Sequence, residues 1–281
     1  MHLLMMLSVL ILAFGLRLIG HRSITLQSTW LQKWQRTLMQ FLLPPLLLLM
    51  TAISILWMGR QGQMVGGDQG LASIVLALSI LGTAVVTGLH CTYRVGQLQR
   101  QLHRYPLRQI YEQPSRYLET SAPFAAQVGF WNSVLVVSQG LLDILTPEQA
   151  TAVLVHEQAH RHYRDTFWFF WLGWVYQWTR WLPRSEALWQ ELLMLRELRA
   201  DDWAAQRVDR LLLAESLLMM VQSPLWIDLC AAFSPVMPRS RLEERIDALL
   251  SDPKEISSPN LQSWSWILWV LLPLLIIPFH Y

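Results

Sequence analysis

Residues 38–58 and 71–90 are long, apolar runs without an Asp, Glu, Lys or Arg, and residues 3–19, interrupted by Arg17, and 264–279 are shorter apolar runs. A helix needs roughly 20 apolar residues to cross a bilayer, where it must satisfy its backbone hydrogen bonds internally. The two longer runs meet that length, and the two shorter ones leave little room for tilt. The composition agrees: 53% of the residues are hydrophobic and 15% charged, against about 25% charged in ordinary soluble chains. The 15 Trp residues suit the membrane interface, where an apolar ring with one polar N–H is at home.

The first run lacks a basic start and a small-residue cleavage site, so it reads as a retained anchor and not a signal peptide. Pro44 and Pro45 lie in the second run, Pro273 and Pro278 in the fourth; neighbouring membrane helices can satisfy the carbonyls such prolines free. With four spans, every Lys and Arg except Arg60 falls on one side, which the positive-inside rule makes cytoplasmic. The expectation is a multi-pass protein of the plasma or inner membrane with both termini outside. Its organisation is three spans in residues 1–92, a cytoplasmic domain in 93–263, and a fourth span with a short tail in 264–281. The basic stretch 94–108 serves as topology signal.

Net charge is +2, and no arginine-rich face interleaved with aromatics is present, so direct nucleic-acid binding is not expected. Cys91 and Cys230 have neither metal-ligand nor disulfide-framework spacing. Ser251 and Lys254 share the spacing of a serine–lysine catalytic pair but have no partner motif, so the match is read as chance.

Within the cytoplasmic part, runs at 124–130 and 134–137 flank Trp131-Asn132-Ser133 and read as a small β-hairpin. Thr146-Pro147-Glu148-Gln149 then opens a helix, with Thr146 as N-cap and Gln149 closing a capping box. That helix carries His156-Glu157-Gln158-Ala159-His160. Histidines at i and i+4 share a face and can converge on one metal ion. Glu157, about 100° round the helix from His156, is placed to act as general base on metal-bound water. A catalytic zinc needs a third protein ligand and one open position. Glu197 is the candidate, with Asp201 one turn on to accept a hydrogen bond from a liganding histidine. His162 points elsewhere, and Arg245 reads as a structural salt-bridge partner.

These motifs, with residues 141–148 leading into the zinc helix, 156–165 and 197–201, resemble the membrane metallopeptidase part of the BlaR/MecR-type antibiotic-sensor proteins. The resemblance covers nearly the whole chain and is gluzincin-like, with glutamate as third ligand. It implies a mainly α membrane protein with four transmembrane helices and a cytoplasmic α+β zincin-like domain. It also implies Zn2+ as cofactor and cleavage of a protein substrate in signal transduction, with a DNA-binding repressor as the substrate type. Residues 134–137 would form the edge strand that pairs with an extended substrate. The family's extracellular drug-binding domain has no counterpart, so β-lactam sensing by the chain itself is not expected.

Two other readings stand beside this one. HtpX-type quality-control proteases share a similar zinc signature, but a two-span hairpin separates their zinc helix from the third ligand. Here only 36 residues lie between His160 and Glu197, too few for two spans of roughly 20 residues each plus a turn. A catalytically silent, zinc-stabilised scaffold is the third reading, and it would not need Glu157. The tryptophan-rich run 167–182 cannot be one full crossing if Glu197 is a ligand, so it reads as an interfacial or re-entrant helix.

Overall fold

The computed structural model describes residues 2–19, 29–58, 67–222, 240–251 and 265–275. Arg22, Arg60, Cys230, Lys254 and the two ends of the fourth apolar run lie outside them. The chain is mostly helical and divides into two compact units, one of Met1–Leu89, Trp174–Leu192 and Lys254–Tyr281, the other of His90–Gly173 and Leu193–Pro253.

The first unit is built on three apolar helices, α1 (His2–Ile19), α2 (Trp30–Met58) and α3 (Gly67–Leu102), the last continuing past Leu89 into the second unit. Two helical stretches, Trp30–Met58 and Leu71–Leu102, are long and apolar enough to cross a membrane, and His2–Leu18 is a shorter apolar helix. Pro44 and Pro45 are accommodated inside α2. Met6, Ala52, Ile55, Ala77 and Ala84 form the buried seam between α1, α2 and α3. Residues 266–275 form two short helices, α10 (Trp266–Val270) and α11 (Leu272–Leu275), where one continuous span was expected. The ladder breaks beside Pro273, which has no N–H to donate to the preceding turn.

The tryptophan-rich run forms α6 (Asp165–Trp178). Fourteen residues extend about 21 Å, short of the roughly 30 Å hydrocarbon layer. Its last turn packs within the apolar unit: Trp178 joins the seam, and the Trp174 indole donates to the carbonyl of Ala84 at 2.7 Å. The absence of a Cβ at Gly88 makes room for that indole, since one built there would lie 3.1 Å from Trp174 Nε1.

The second unit holds a four-stranded sheet of β1 (Leu107–Ile110), β2 (Gln113–Leu118), β3 (Ala125–Val128) and β4 (Val134–Ser138), in the order β1-β2-β4-β3. The expected hairpin is β3–β4, paired antiparallel. Val134–Val137, however, is not an edge: β4 also pairs in parallel with β2, so β3 is the edge strand on that side and β1 on the other. The reason is visible in β4 itself, whose Leu135, Val136 and Val137 are all buried; a strand covered on both faces reads as continuous apolar sequence and suits a sheet interior.

The β1–β2 hairpin begins at the end of the basic stretch 94–108 and was not expected from the sequence. Its two turn residues, Tyr111 and Glu112, both have positive φ (46° and 65°). This is the sign pattern of a two-residue type I′ turn, usually signalled by Asn-Gly or Asp-Gly. After β4, Ser138 caps α4 (Gln139–Ile144), where a Cβ at Gly140 would lie 2.1 Å from the carbonyl oxygen of Ser121.

Then comes α5 (Pro147–His162), opened by the full capping box of Thr146 and Gln149. Val153 and Leu154 bury against Leu135, Val137 and Leu141, while Ala152 meets Leu213 and Leu217 of α8 (Arg210–Gln222) and Leu249 of α9 (Ser240–Leu250). Buried on both sides, α5 is a rigid shelf for the residues in its second half. Residues Leu193 onward of α7 (Ser185–Ala205) complete the surroundings of the site.

Candidate metal centre

His156, His160 and Glu197 are all buried, and their ligand atoms lie within 4.8 Å of one another. The i, i+4 spacing on α5 sets the two imidazoles side by side, with Nε2 to Nε2 at 3.2 Å. Glu197, from α7, places Oε2 3.4 Å from Nε2 of His156 and Oε1 3.7 Å from Nε2 of His160. Tetrahedral donors about 2.05 Å from a zinc ion lie about 3.3 Å apart, so these separations fit a four-coordinate site. Two histidines and one glutamate so placed could hold a metal ion.

The other imidazole nitrogens are turned to carboxylates. Nδ1 of His160 bonds Oδ2 of Asp165 at 2.8 Å. Nδ1 of His156 lies 2.8 Å from Oδ1 of Asp201, off the line of a well-directed hydrogen bond, so this contact is chiefly one of charge. A carboxylate at Nδ1 holds the proton there and leaves Nε2 free for a metal.

Asp201 thus stands beside the first histidine. Asp165, whose role went unread in the sequence, serves the second. It is the first residue of α6, five positions after His160, and the intervening Arg164 adopts positive φ (53°). That reversal of the chain brings Asp165 back onto His160, and no helical spacing signals it.

Both carboxylates are themselves held. Arg245 on α9 grips Asp201 with two bonds of 2.7 Å and lies 3.5 Å from Glu197. Arg199 pairs with Oδ1 of Asp165 and stacks over the Tyr163 ring. Arg196 pairs with Oε1 of Glu197 at 2.6 Å while lying over Phe169. Arg245 therefore has the salt-bridge role read from the sequence.

The electrostatics follow from this enclosure. For His160, burial disfavours the charged ring, yet the charge of Glu197 and the bonds to Asp165 and Glu197 outweigh it and raise the pKa to about 10. His156 is raised in the same way: burial opposes the charge, and Asp201 and Glu197 overcome it. Burial would push Glu197 up, but Arg196 and His160 hold it well below the usual carboxylate range. Asp201 is lowered too, Arg245 outweighing its burial. The field at the two imidazoles thus favours a cation.

Glu157 stands outside the converging trio, buried on α5, and its Oε2 accepts the backbone N–H of Gln127 at 2.9 Å. Gln127 belongs to the edge strand β3. Ser138 bonds to Phe124 across the β3–β4 ladder, and antiparallel pairs alternate, so Ala125 and Gln127 direct their backbone groups to the open edge. The residue placed as general base is therefore tied to the sheet edge. His162 is exposed and stacks on Trp203, away from the trio. No protein-family model matches the chain.

Proposed function

We propose that this chain is a membrane-anchored zinc-dependent endopeptidase that cleaves a protein substrate at the cytoplasmic membrane face. The observation that carries the reading is the buried His156–His160–Glu197 trio with Glu157 beside it, outside the donor set and bonded to the edge strand.

When bound, zinc supplies Lewis acidity that lowers the pKa of a water and polarises a carbonyl. Glu157 takes the proton from the attacking water and passes it to the leaving amine. Asp165 and Asp201 keep the Nδ1 protons in place, so both Nε2 atoms stay available. An extended substrate adds along β3 by strand addition, at the backbone groups of Ala125 and the carbonyl of Gln127, whose N–H Glu157 takes. The edge strand of the BlaR/MecR-type reading is thus β3, in place of residues 134–137.

Four spans and a zincin-like cytoplasmic domain belong to the same proposal, as does a repressor substrate in signal transduction. The packing of Trp174 and Trp178 among the apolar helices favours a re-entrant α6 over an interfacial one.

The test compares new protein N-termini in cells carrying the wild type or Glu157→Gln, with the metal content of both purified proteins measured in parallel. Termini lost in the variant while its zinc is kept support the peptidase. Identical termini in the two strains would overturn it and leave a metal-stabilised scaffold.

A further inference from the structure

Among the described residues, the most heavily buried charge outside the metal centre is in the apolar unit. Arg17, in the last turn of α1, is 1% exposed. One of its nitrogens, Nη2, donates to the carbonyl of Phe41 at 3.0 Å, and the guanidinium lies 5.5 Å from the Phe41 ring centre. Its other two nitrogens, Nε and Nη1, are enclosed and reach no acceptor among the described residues.

A second cation bears on it. The charge of Arg184 acts on Arg17, and Nη1 of Arg184 is likewise enclosed with no acceptor. Arg184 immediately precedes α7, so the positive end of that helix adds to the field. Ala13, one turn before Arg17, and Leu182, two residues before Arg184, are buried together with Leu48 in one apolar cluster, which brings the two stretches of chain together. The acid nearest in sequence, Glu186, is engaged by Tyr176 and Gln190.

Two cations in one apolar surround repel each other and lose solvation, a cost that only a shared counter-charge offsets. Three enclosed donor nitrogens from two guanidiniums match the several acceptor oxygens of a phosphate, which arginine binds in fork geometry. The place also fits a membrane surface. Arg17 sits where an apolar helix ends, and the Phe14–Trp181 ring pair lies beside it with Trp181 half exposed, as expected of aromatic side chains at headgroup depth.

We propose that Arg17 and Arg184 form a binding site for an anionic phosphate group, supplied by a phospholipid headgroup or by free phosphate.

The test uses the full chain purified in neutral detergent. Its thermal midpoint is followed with dioctanoyl-phosphatidylglycerol, dioctanoyl-phosphatidylcholine or inorganic phosphate. The anionic lipid is expected to raise the midpoint by about 3 °C or more at saturation. Arg17→Gln and Arg184→Gln should each weaken that response about tenfold in concentration, while Arg94→Gln, an exposed position on α3, should leave it intact. An equal rise with inorganic phosphate, lost in the same variants, upholds the site and makes the soluble ion its source. If Arg17→Gln does not fold, the partly exposed Arg184 decides. No rise with either anion, an equal rise with phosphatidylcholine, or a rise that survives the arginine substitutions overturns the proposal.

Discussion

Replacing Asp165 by Asn tests the metal centre through a residue that does not itself belong to the donor trio. Asp165 uses both oxygens, Oδ2 on His160 and Oδ1 on Arg199. Both partners are donors, and asparagine offers one oxygen and one NH2, so one pairing must fail. Arg199 carries a permanent charge and wins the oxygen. The NH2 then faces Nδ1 of His160 and stabilises the tautomer with the proton on Nε2, the atom the metal needs. Losing one charge-assisted bond costs about 1.5–3 kcal/mol. At about 1.4 kcal/mol per decade, zinc affinity should fall about tenfold to a hundredfold, the range typical of outer carboxylates. The measurement is a competition titration against a chromogenic zinc chelator at fixed pH. In Asp165→Asn/Arg199→Gln the competing charge is gone, the amide oxygen returns to His160, and affinity should recover to within about tenfold of wild type, a neutral bond being about half as strong. A single variant that binds zinc within about threefold of wild type would refute the reasoning, since it lies below the loss expected of an outer ligand. So would a double variant no better than the single.

Other substitutions separate the remaining parts. Gln127→Pro removes the N–H that Glu157 accepts, at an edge position that faces away from the β4 ladder. Zinc should be retained while cleavage falls about tenfold or more, and Gln127→Ala, which keeps the N–H, should cleave normally. Asp201→Asn should lower stability by about 1–3 kcal/mol, because the half-buried Arg245 loses the charge of its two-bonded partner and keeps only Glu197 at 3.5 Å; Asp201→Asn/Arg245→Met should regain much of that in a chemical melt while zinc affinity stays low. Thr146→Ala removes the N-cap of α5 and should cost about 1 kcal/mol in the same melt, with no change in zinc stoichiometry.

How much of this was legible in the sequence depended on how local each interaction is. A capping box is closed by residues three apart, so Thr146 and Gln149 announced the start of α5. The 3.6-residue period put His156 and His160 on one face, and charge-free length marked the apolar helices. Interactions of that range are fixed by backbone geometry before the chain packs. The β1–β2 hairpin was missed because Tyr111 and Glu112 adopt positive φ without the glycine or asparagine that normally signals it; tertiary packing imposes the turn. The position of β4 inside the sheet was missed because strand order is set by which edges meet in space, and β2 comes from sequence that showed no clear alternation.

The sequence by itself determined the apolar helices, the zinc-type helix face and the donor residues on offer. Only the tertiary structure decided how the donors are held. It assigned Asp201 to His156 and Asp165 to His160, brought Arg245 onto Asp201 from 44 residues away, and laid the edge strand against Glu157. The physical reason is that a ligand's type and spacing are written along one helix, whereas its protonation and orientation depend on charges from other elements buried around it. Those charges are paired by packing, and their sequence separation carries no period to read.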